Sequence, residues 1–370
     1  MRQSQYALLG SLLLACCAAS AQSNVTVYGS VDGGVSVFND ERGGRTTKVE
    51  TGNRSPDRFG FRGSEDLGGG LRALFQLESG FNLDDGQLKR SNAIFSRYAY
   101  VGLSSNTAGT LTIGHMPDFM YEYLRWTSNG FMGSTNFFHP GNLDNQANQF
   151  QLDNAIKYET PTWHGLTLGA MNGFGEQPDD VNRARSYSFG LRYVGGPARL
   201  GAAYTVSNNR SLGIGATLGI RSLLGQTVSR GDPSAPGATY TNFNADKLTT
   251  AGITGSYRIG RFTPHAMYTQ IKFDTARGAA TMRNADLGSD INIGASQTLG
   301  VSASTSTLED WRWSQFNLID MFRLSPRTTL YWEAAWQRAS GEGVHAVIFG
   351  AAPASGQSQR VLRVGMHYLF

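Results

Sequence analysis

The feature that most constrains the fold is an alternation of apolar and polar residues that recurs along the chain. In residues 25–37 five valines fall on one face, while threonine, serine and aspartate residues fall on the other. Residues 185–194, 284–293 and 328–336 show the same period of two. Successive side chains of a β-strand point to opposite faces, so this period predicts strands with one apolar and one polar face.

The N-terminus carries an export signal. Arg2 precedes a short apolar run that ends in an A-x-A cleavage site, so we expect residues 1–21 to be removed and residues 22–370 to form the mature domain. A lipoprotein signal with Cys16 acylated is the alternative. Cys16 and Cys17 both lie within the predicted signal, and the mature chain therefore has no disulfide or thiolate chemistry.

An exported chain without a further apolar run of spanning length either stays soluble or crosses a membrane as a barrel. The chain has 46 glycines, and only 16% of its residues are charged, against roughly 25% in ordinary soluble proteins. Glycine-rich, weakly charged composition suits short strands joined by turns. Alternation over the whole mature chain therefore predicts an all-β fold, a transmembrane antiparallel β-barrel.

The connections show a second regularity that is typical of outer-membrane barrels. Short turns alternate with long polar segments, of which 117–152, 208–246 and 340–359 are the longest. About sixteen strands are predicted, and without the least regular pair, 282–308, about fourteen remain. Asp320 falls on an apolar face, where a bulge or a shifted frame would explain it. The predicted strands are 24–38, 48–63, 70–82, 92–104, 109–116, 153–161, 165–174, 185–195, 197–207, 247–259, 261–275, 282–293, 298–308, 312–324, 327–339 and 360–370.

The last ten residues, "VLRVGMHYLF", form a regular closing strand with Tyr368 and Phe370 on its apolar face. This ending resembles the C-terminal signal that the outer-membrane assembly machinery recognises. The stretches "NVTVYGSVDGGV" (24–35), "RFGFRGSEDLGGGLRALFQLESGFNLDDG" (58–86) and "SRYAYVGLSS" (96–105) resemble the Gram-negative general porins. The similarity is to the trimeric sixteen-stranded type of beta-proteobacteria, and it covers nearly the whole mature chain.

The resemblance implies a homotrimer of water-filled pores in the Gram-negative outer membrane. Each pore would pass ions and small hydrophilic solutes by diffusion, and the third long loop, about 117–152, would fold inward and narrow it. The implied partners are outer-membrane lipid and lipopolysaccharide, the assembly machinery through Tyr368 and Phe370, and the solutes. The implied wall residues of the constriction are Arg58, Arg62, Arg97, Glu78 and Lys157, and the implied acidic residues of the loop are Asp118, Glu122 and Asp144.

The chain departs from the family pattern in two places. His115 stands where many relatives have arginine at the entry of the loop, and the arginine that often ends the loop is replaced by Asp153 and Lys157 nearby. With fewer wall arginines the ion preference is left open. The loop is also rich in aromatic residues, which either narrow a solute-selective pore or pack the loop against the wall.

The sequence lacks the residues that other classes of function require. An outer-membrane enzyme needs a nucleophile or activated water with histidine and carboxylate partners, and no G-x-S-x-G motif occurs. The six histidines are not spaced as metal ligands, so no metal and no cofactor are expected. A net charge of +4 is too small for a nucleic-acid partner. An exported adhesin or sugar-binding β-protein would lack the terminal aromatic signal.

Overall fold

The computed structural model describes residues 24–176 and 183–370, and the predicted signal peptide lies outside these ranges. The chain forms one closed antiparallel barrel of sixteen strands, which confirms the predicted fold class. The strands are β1 (Asn24–Glu41), β2 (Gly44–Thr51), β3 (Arg58–Gly68), β4 (Leu71–Gly80), β5 (Tyr98–Ser105), β6 (Gly109–Pro117), β7 (Gln151–Glu159), β8 (Leu166–Gly173), β9 (Ser186–Gly195), β10 (Ala198–Leu212), the short β11 (Ser222–Leu223), β12 (Gln226–Thr227), β13 (Ser229–Arg230) and β14 (Thr239–Tyr240), and then β15 (Phe243–Tyr257), β16 (Phe262–Thr275), β17 (Gly278–Asn292), β18 (Gln297–Leu308), β19 (Trp311–Arg323), β20 (Thr328–Ser340) and β21 (Ser358–Leu369).

The barrel closes between its first and last strands. β1 pairs with β21 from Ser30–Leu369 to Phe38–Val361. On its other edge β1 pairs with both β2 and β3, which are therefore two halves of one barrel strand interrupted at residues 52–57. Closure satisfies the backbone hydrogen bonds at every edge, as a membrane-spanning sheet requires.

The least regular predicted pair does form. β17 pairs with β18 over Met282–Leu308 to Asn292–Thr298 without a break. Asp320 lies on the outward face of β19, where its carboxylate accepts two 3.0 Å hydrogen bonds from the Gln297 amide. The β19 register runs continuously through Asp320, so the suggested bulge or frame shift was wrong. The amide partner, which lies on the neighbouring strand, explains how this face holds a carboxylate.

The two ends of the barrel differ, although less simply than the sequence suggested. The end at which β1 begins and β21 ends has only short turns between the described strands. At the other end four connections are long: 81–97, 118–150, 213–242 and 341–357. Three others at this end are two-residue turns, between β1 and β2, β16 and β17, and β18 and β19. Strands of up to 18 residues exceed the 9–11 that a membrane requires, so they continue beyond it and need no long loop.

The long-loop end of the barrel has a hydrophobic interior. Residues 213–242, which include a short helix at Ile214–Leu218 and the strands β11 to β14, pack against the inner faces of β10 and β15 to β20. Phe243, Phe273 and Trp313 lie at the centre of this cluster. The cluster therefore fills the barrel interior beside these strands.

The third long loop, 118–150, is a chain of short helical turns. They span Met120–Leu124, Arg125–Thr127, Asn129–Met132, Thr135–Phe137 and Pro140–Asn142. Most of the loop is buried inside the barrel.

No helix in the described ranges is long and apolar enough to cross a membrane.

Candidate pore constriction

The first half of the loop packs against a part of the barrel wall where glycines replace larger side chains. Phe119, Tyr123 and Leu124 are buried against β8 to β10 and β15. A Cβ added at Gly190 would lie 2.6 Å from the Tyr123 ring and 2.7 Å from the Phe119 side chain, and one at Gly169 would overlap the Phe119 ring. The missing side chains make room for the aromatic rings, which dock the loop on the wall.

We expect Gly190→Val to push the first half of the loop off the wall. The added side chain would overfill the interface at a cost of about 1–3 kcal/mol. Single-channel recording should therefore show a larger and noisier conductance. Gly294→Val is the matched control, because a Cβ at Gly294 meets nothing within 4 Å. A folded Gly190→Val channel with native conductance would contradict the docking role.

The second half of the loop crosses to the far wall. The Asn129 backbone donates to Asp286 of β17 at 3.2 Å, and its side chain donates to the Ala303 carbonyl of β18 at 3.0 Å. Asn136 donates to Glu333 of β20 at 2.6 Å. Thr135 then bonds to the backbone of residues 52–53. The loop therefore crosses the barrel interior and contacts the wall from β8 to the second barrel strand.

A buried histidine fastens this second half. His139 lies between two carboxylates, with Nδ1 2.7 Å from Asp144 of the loop and Nε2 2.8 Å from Asp286 of the wall. Thr269 also donates to Asp144, at 2.8 Å. Burial would lower the pKa of His139, but the two carboxylates outweigh it and raise the pKa to about 10. The charged ring in turn holds the pKa of Asp144 below its usual value, although burial opposes this.

The structure places the three predicted acidic loop residues at the base and back of the loop. Asp118 is buried and accepts from the Asn145 amide at 2.8 Å and the Tyr121 backbone at 3.1 Å; burial raises its pKa. Asp144 is fully buried beside His139. Glu122 forms a 2.7 Å ion pair with Lys157. These carboxylates hold the loop in place, and Asp118 and Asp144 have no access to open lumen.

A different set of residues meets where the loop approaches β3 to β5. Arg97 donates to Glu78 at 2.5 Å, and Arg58 lies 3.8 Å from the same carboxylate. Arg97 also donates to the Tyr121 hydroxyl of the loop at 3.3 Å. Three of the predicted wall residues are thus brought together and contact the loop.

Two arginines that the sequence pattern did not single out complete this set. Arg125 of the loop bonds to the Tyr121 hydroxyl, and its guanidinium lies 5.4 Å from the centre of the Phe131 ring. Arg54 donates to the Phe131 carbonyl at 3.1 Å. Arg58 donates hydrogen bonds to residues 55–56, which follow Arg54 in the chain, so the circle of contacts is closed. We call this closed set the eyelet ring; its members are Arg54, Arg58, Glu78, Arg97, Tyr121, Arg125 and Phe131.

The other predicted wall residues lie outside the eyelet ring. Arg62 is exposed on β3 closer to the short-turn end, with its guanidinium 5.2 Å from the centre of the Tyr28 ring. Lys157 lies at the base of the loop, where it contacts Glu122 and, at 3.5 Å, Glu159. His115, the departure from the family pattern, bonds to Asp153 and to the Ser96 carbonyl, so it too serves the base of the loop.

The loop aromatics divide between the two interpretations that the sequence left open. Four are buried, which fits packing of the loop. Four are partly exposed, as a lining of the lumen would require. The buried group is Phe119, Tyr121, Tyr123 and Phe137, and the partly exposed group is Trp126, Phe131, Phe138 and Phe150.

A closed barrel with an apolar outer face, a polar inner face and an infolded loop is a channel of the outer membrane. The family model described as Gram-negative porin matches residues 7–342. The chain belongs to the Gram-negative porin family, and it forms a diffusion channel for ions and small hydrophilic solutes across the outer membrane.

Individual relatives agree with this assignment. Outer membrane porin protein 32 of Delftia acidovorans is 30% identical over 399 residues, and the match covers all of both chains. An outer membrane porin protein of Bordetella pertussis is 32% identical over 247 residues, which is 56% of this chain and 61% of that protein. The anion-selective porin from Comamonas acidovorans has a structure that matches with a TM-score of 0.73 at 25% identity, covering 94% of this chain and all of that one.

Proposed function

We propose that the eyelet ring is the narrowest charged point of the channel and that it makes the pore prefer small anions. The observation that carries this is the composition of the ring, which has four guanidinium groups and the single carboxylate of Glu78, paired with Arg58 and Arg97. Arginine stays charged at any pH a cell meets, so the ring has a net charge of +3. A charged constriction sets ion preference because every permeating ion must pass within its field.

Arg54 and Arg125 contribute most of this excess charge. Among the described residues neither has a carboxylate within ion-pair distance, whereas Arg58 and Arg97 share Glu78. Arg125 is held instead by the rings of Tyr121, Trp126 and Phe131 at 4.0 to 5.4 Å, which fix a cation without neutralising it. The structurally similar porin from Comamonas acidovorans is anion-selective, which supports the same preference here.

We further propose that the working form is a homotrimer without catalytic activity. A trimer form is described for the Vibrio cholerae outer-membrane protein OmpT, whose structure matches this fold with a TM-score of 0.63 at 15% identity. The relatives named above are porins, which pass solutes and do not transform them. Lipopolysaccharide contacts and recognition of Tyr368 and Phe370 by the assembly machinery belong to the same proposal.

The test is a planar bilayer with purified, heat-modifiable trimers and a KCl gradient. We expect conductance steps in groups of three and a reversal potential on the side of chloride. Sodium acetate and Tris chloride in place of KCl show which ion carries the current. A reversal potential at zero or on the side of potassium would remove the anion preference while leaving the channel itself intact.

A further inference from the structure

Four partly exposed aromatic rings form a stripe between the last long connection and the eyelet ring. The Trp126 and Phe131 rings meet edge to face, with their centroids 4.8 Å apart. The Phe138 ring lies on Gly130, where an added Cβ would overlap it. Phe138 also meets Phe349 of the last long connection edge to face, at 5.9 Å. We call this set the aromatic stripe; its members are Trp126, Phe131, Phe138 and Phe349.

Packing fixes the rings of the aromatic stripe without covering them. The Trp126 indole donates to the Glu122 carbonyl at 2.8 Å. The backbone N–H groups of residues 347 and 348 donate to buried glutamine side chains of β20 and β21 at 2.6 and 2.7 Å, which holds Phe349 in place. The loop crosses the barrel interior, so the exposed parts of its three rings face the water of the channel. Ordered apolar surface of this kind favours contact with a solute that has an apolar face.

At one end the aromatic stripe meets the two arginines of the eyelet ring that lack a carboxylate partner. The Arg125 guanidinium lies 4.4 Å from the centre of the Trp126 ring and 5.4 Å from that of Phe131. Arg54 donates to the Phe131 carbonyl at 3.1 Å. Apart from this bond and the one from Arg125 to Tyr121, neither guanidinium has a hydrogen-bond partner in the part of the chain that the structure describes. Each therefore keeps N–H groups that can donate to a carboxylate.

We propose that the aromatic stripe and these two arginines form a binding track for aromatic carboxylates such as benzoate. The proposal rests on the anion preference proposed above and names the class of solute. An aromatic carboxylate has an anionic group that pairs with a guanidinium in bidentate fashion, and a ring that makes edge-to-face contacts with Phe138 and Phe131. Chloride and acetate offer only the charge. The track therefore favours aromatic anions over other anions of the same charge.

The order of the contacts explains how such a solute reaches the constriction. The solute first meets Phe349 and Phe138, and its ring leaves water there before its carboxylate reaches Arg54 and Arg125. The ring contacts offset part of the hydration that the carboxylate loses at the eyelet ring. Each contact is weak and the next lies close by, as conduction through a series of binding sites requires.

The experiment compares how three carboxylates block the chloride current of purified trimers in a planar bilayer. Benzoate, cyclohexanecarboxylate and acetate carry the same charge, and the first two are similar in size, but only benzoate has an aromatic ring. Each is added on the long-loop side at constant KCl, and the concentration that halves the current is measured. We expect benzoate to block at a concentration about threefold or more below that of cyclohexanecarboxylate, and acetate to block least.

Phe138→Leu tests the aromatic stripe directly, because it removes one ring outside the eyelet ring. It should raise the half-blocking concentration of benzoate by about threefold and leave that of cyclohexanecarboxylate unchanged. Phe138→Tyr keeps the ring and should retain the wild-type block. Phe150→Leu is the matched control, because Phe150 is a partly exposed ring of the same loop that lies against Arg210 instead. Heat-modifiable mobility shows that each variant folds.

Two results would overturn the proposal. Equal half-blocking concentrations of benzoate and cyclohexanecarboxylate in the wild-type channel would show that the track distinguishes charge and bulk but not aromaticity. A Phe138→Leu channel with wild-type benzoate block would show that the aromatic stripe does not contact the solute. The chloride reversal potential of the same channels separates this failure from that of the proposed function, since a potential still on the side of chloride leaves the anion preference intact.

Discussion

The double variant Arg54→Glu/Arg125→Glu is expected to form a channel that prefers cations. The change takes the eyelet ring from a net charge of +3 to −1, since Glu78 and the two new carboxylates outnumber Arg58 and Arg97 by one. Neither replaced arginine has a carboxylate within 4.0 Å among the described residues, so the reversal breaks no close ion pair. Asp290, Asp32 and Glu333 attract Arg54 from a longer distance, and the new carboxylate at position 54 would be repelled by them. The ratio of chloride to potassium permeability should fall by about tenfold or more, as expected for a reversed charge in a confined channel.

The measurement is the reversal potential of single trimers in a KCl gradient. Arg62→Glu is the matched control, because Arg62 also faces the lumen but lies outside the eyelet ring. It should shift the reversal potential only slightly, and unchanged heat-modifiable mobility shows that each variant folds. A double variant that keeps the native reversal potential would place the constriction elsewhere.

Reversing the charge of Arg58 and Arg97 is the change that the sequence alone suggests. Its effect on ion preference would be harder to interpret. Both arginines flank Glu78, whose side chain is only 5% exposed. Glutamate at either position would bury two carboxylates side by side, which costs several kcal/mol and favours misfolding. We still expect Arg58→Gln or Arg97→Gln to shift the reversal potential toward that of a cation-selective channel. Part of this shift would come from loosening of the wall around Glu78.

The barrel could be predicted because its signal is local and repeated. A period of two needs no knowledge of distant residues, and the long barrel strands show it independently of one another. Strand ends were less predictable, since the predicted strand 48–63 runs through residues 52–57, where the chain leaves the sheet. Arg54 lies in this break, where no strand period places a side chain on either face, so the pattern could not single it out.

The interior of the loop could not be predicted from residue types alone. Asp118 and Asp144 resemble pore-lining acids in sequence, but their neighbours Asn145 and His139 supply the hydrogen bonds that bury them. Arg125 has no periodic context, and only the turns from Met120 to Thr127 bring it to the rings that hold it. The charge of the constriction is therefore a tertiary property, which is why counting wall arginines along the sequence left the ion preference open.

His139→Ala is expected to release the second half of the loop and to enlarge the pore. The change leaves Asp144 and Asp286 buried next to each other without their shared cation. Removing one partner of a buried ionic contact costs about 3–5 kcal/mol, and the loop has few other charged attachments over this stretch. We expect the conductance to rise by about twofold, with frequent flicker, because the loop is what narrows the lumen. His164→Ala, at an exposed turn, is the matched control.

The pH dependence separates this mechanism from a general loss of stability. The folded pKa of His139, about 10, is above its usual value of 6.5, so its stabilisation is complete below about pH 6.5 and is lost as the pH rises toward 10. Wild-type conductance should therefore be steady from pH 5 to 7 and increase toward pH 10, approaching that of His139→Ala, which should not change over this range. A wild-type channel with the same conductance at pH 6 and pH 10, recorded beside an enlarged His139→Ala channel, would show that the histidine fastens the loop by its shape and hydrogen bonds rather than by its charge.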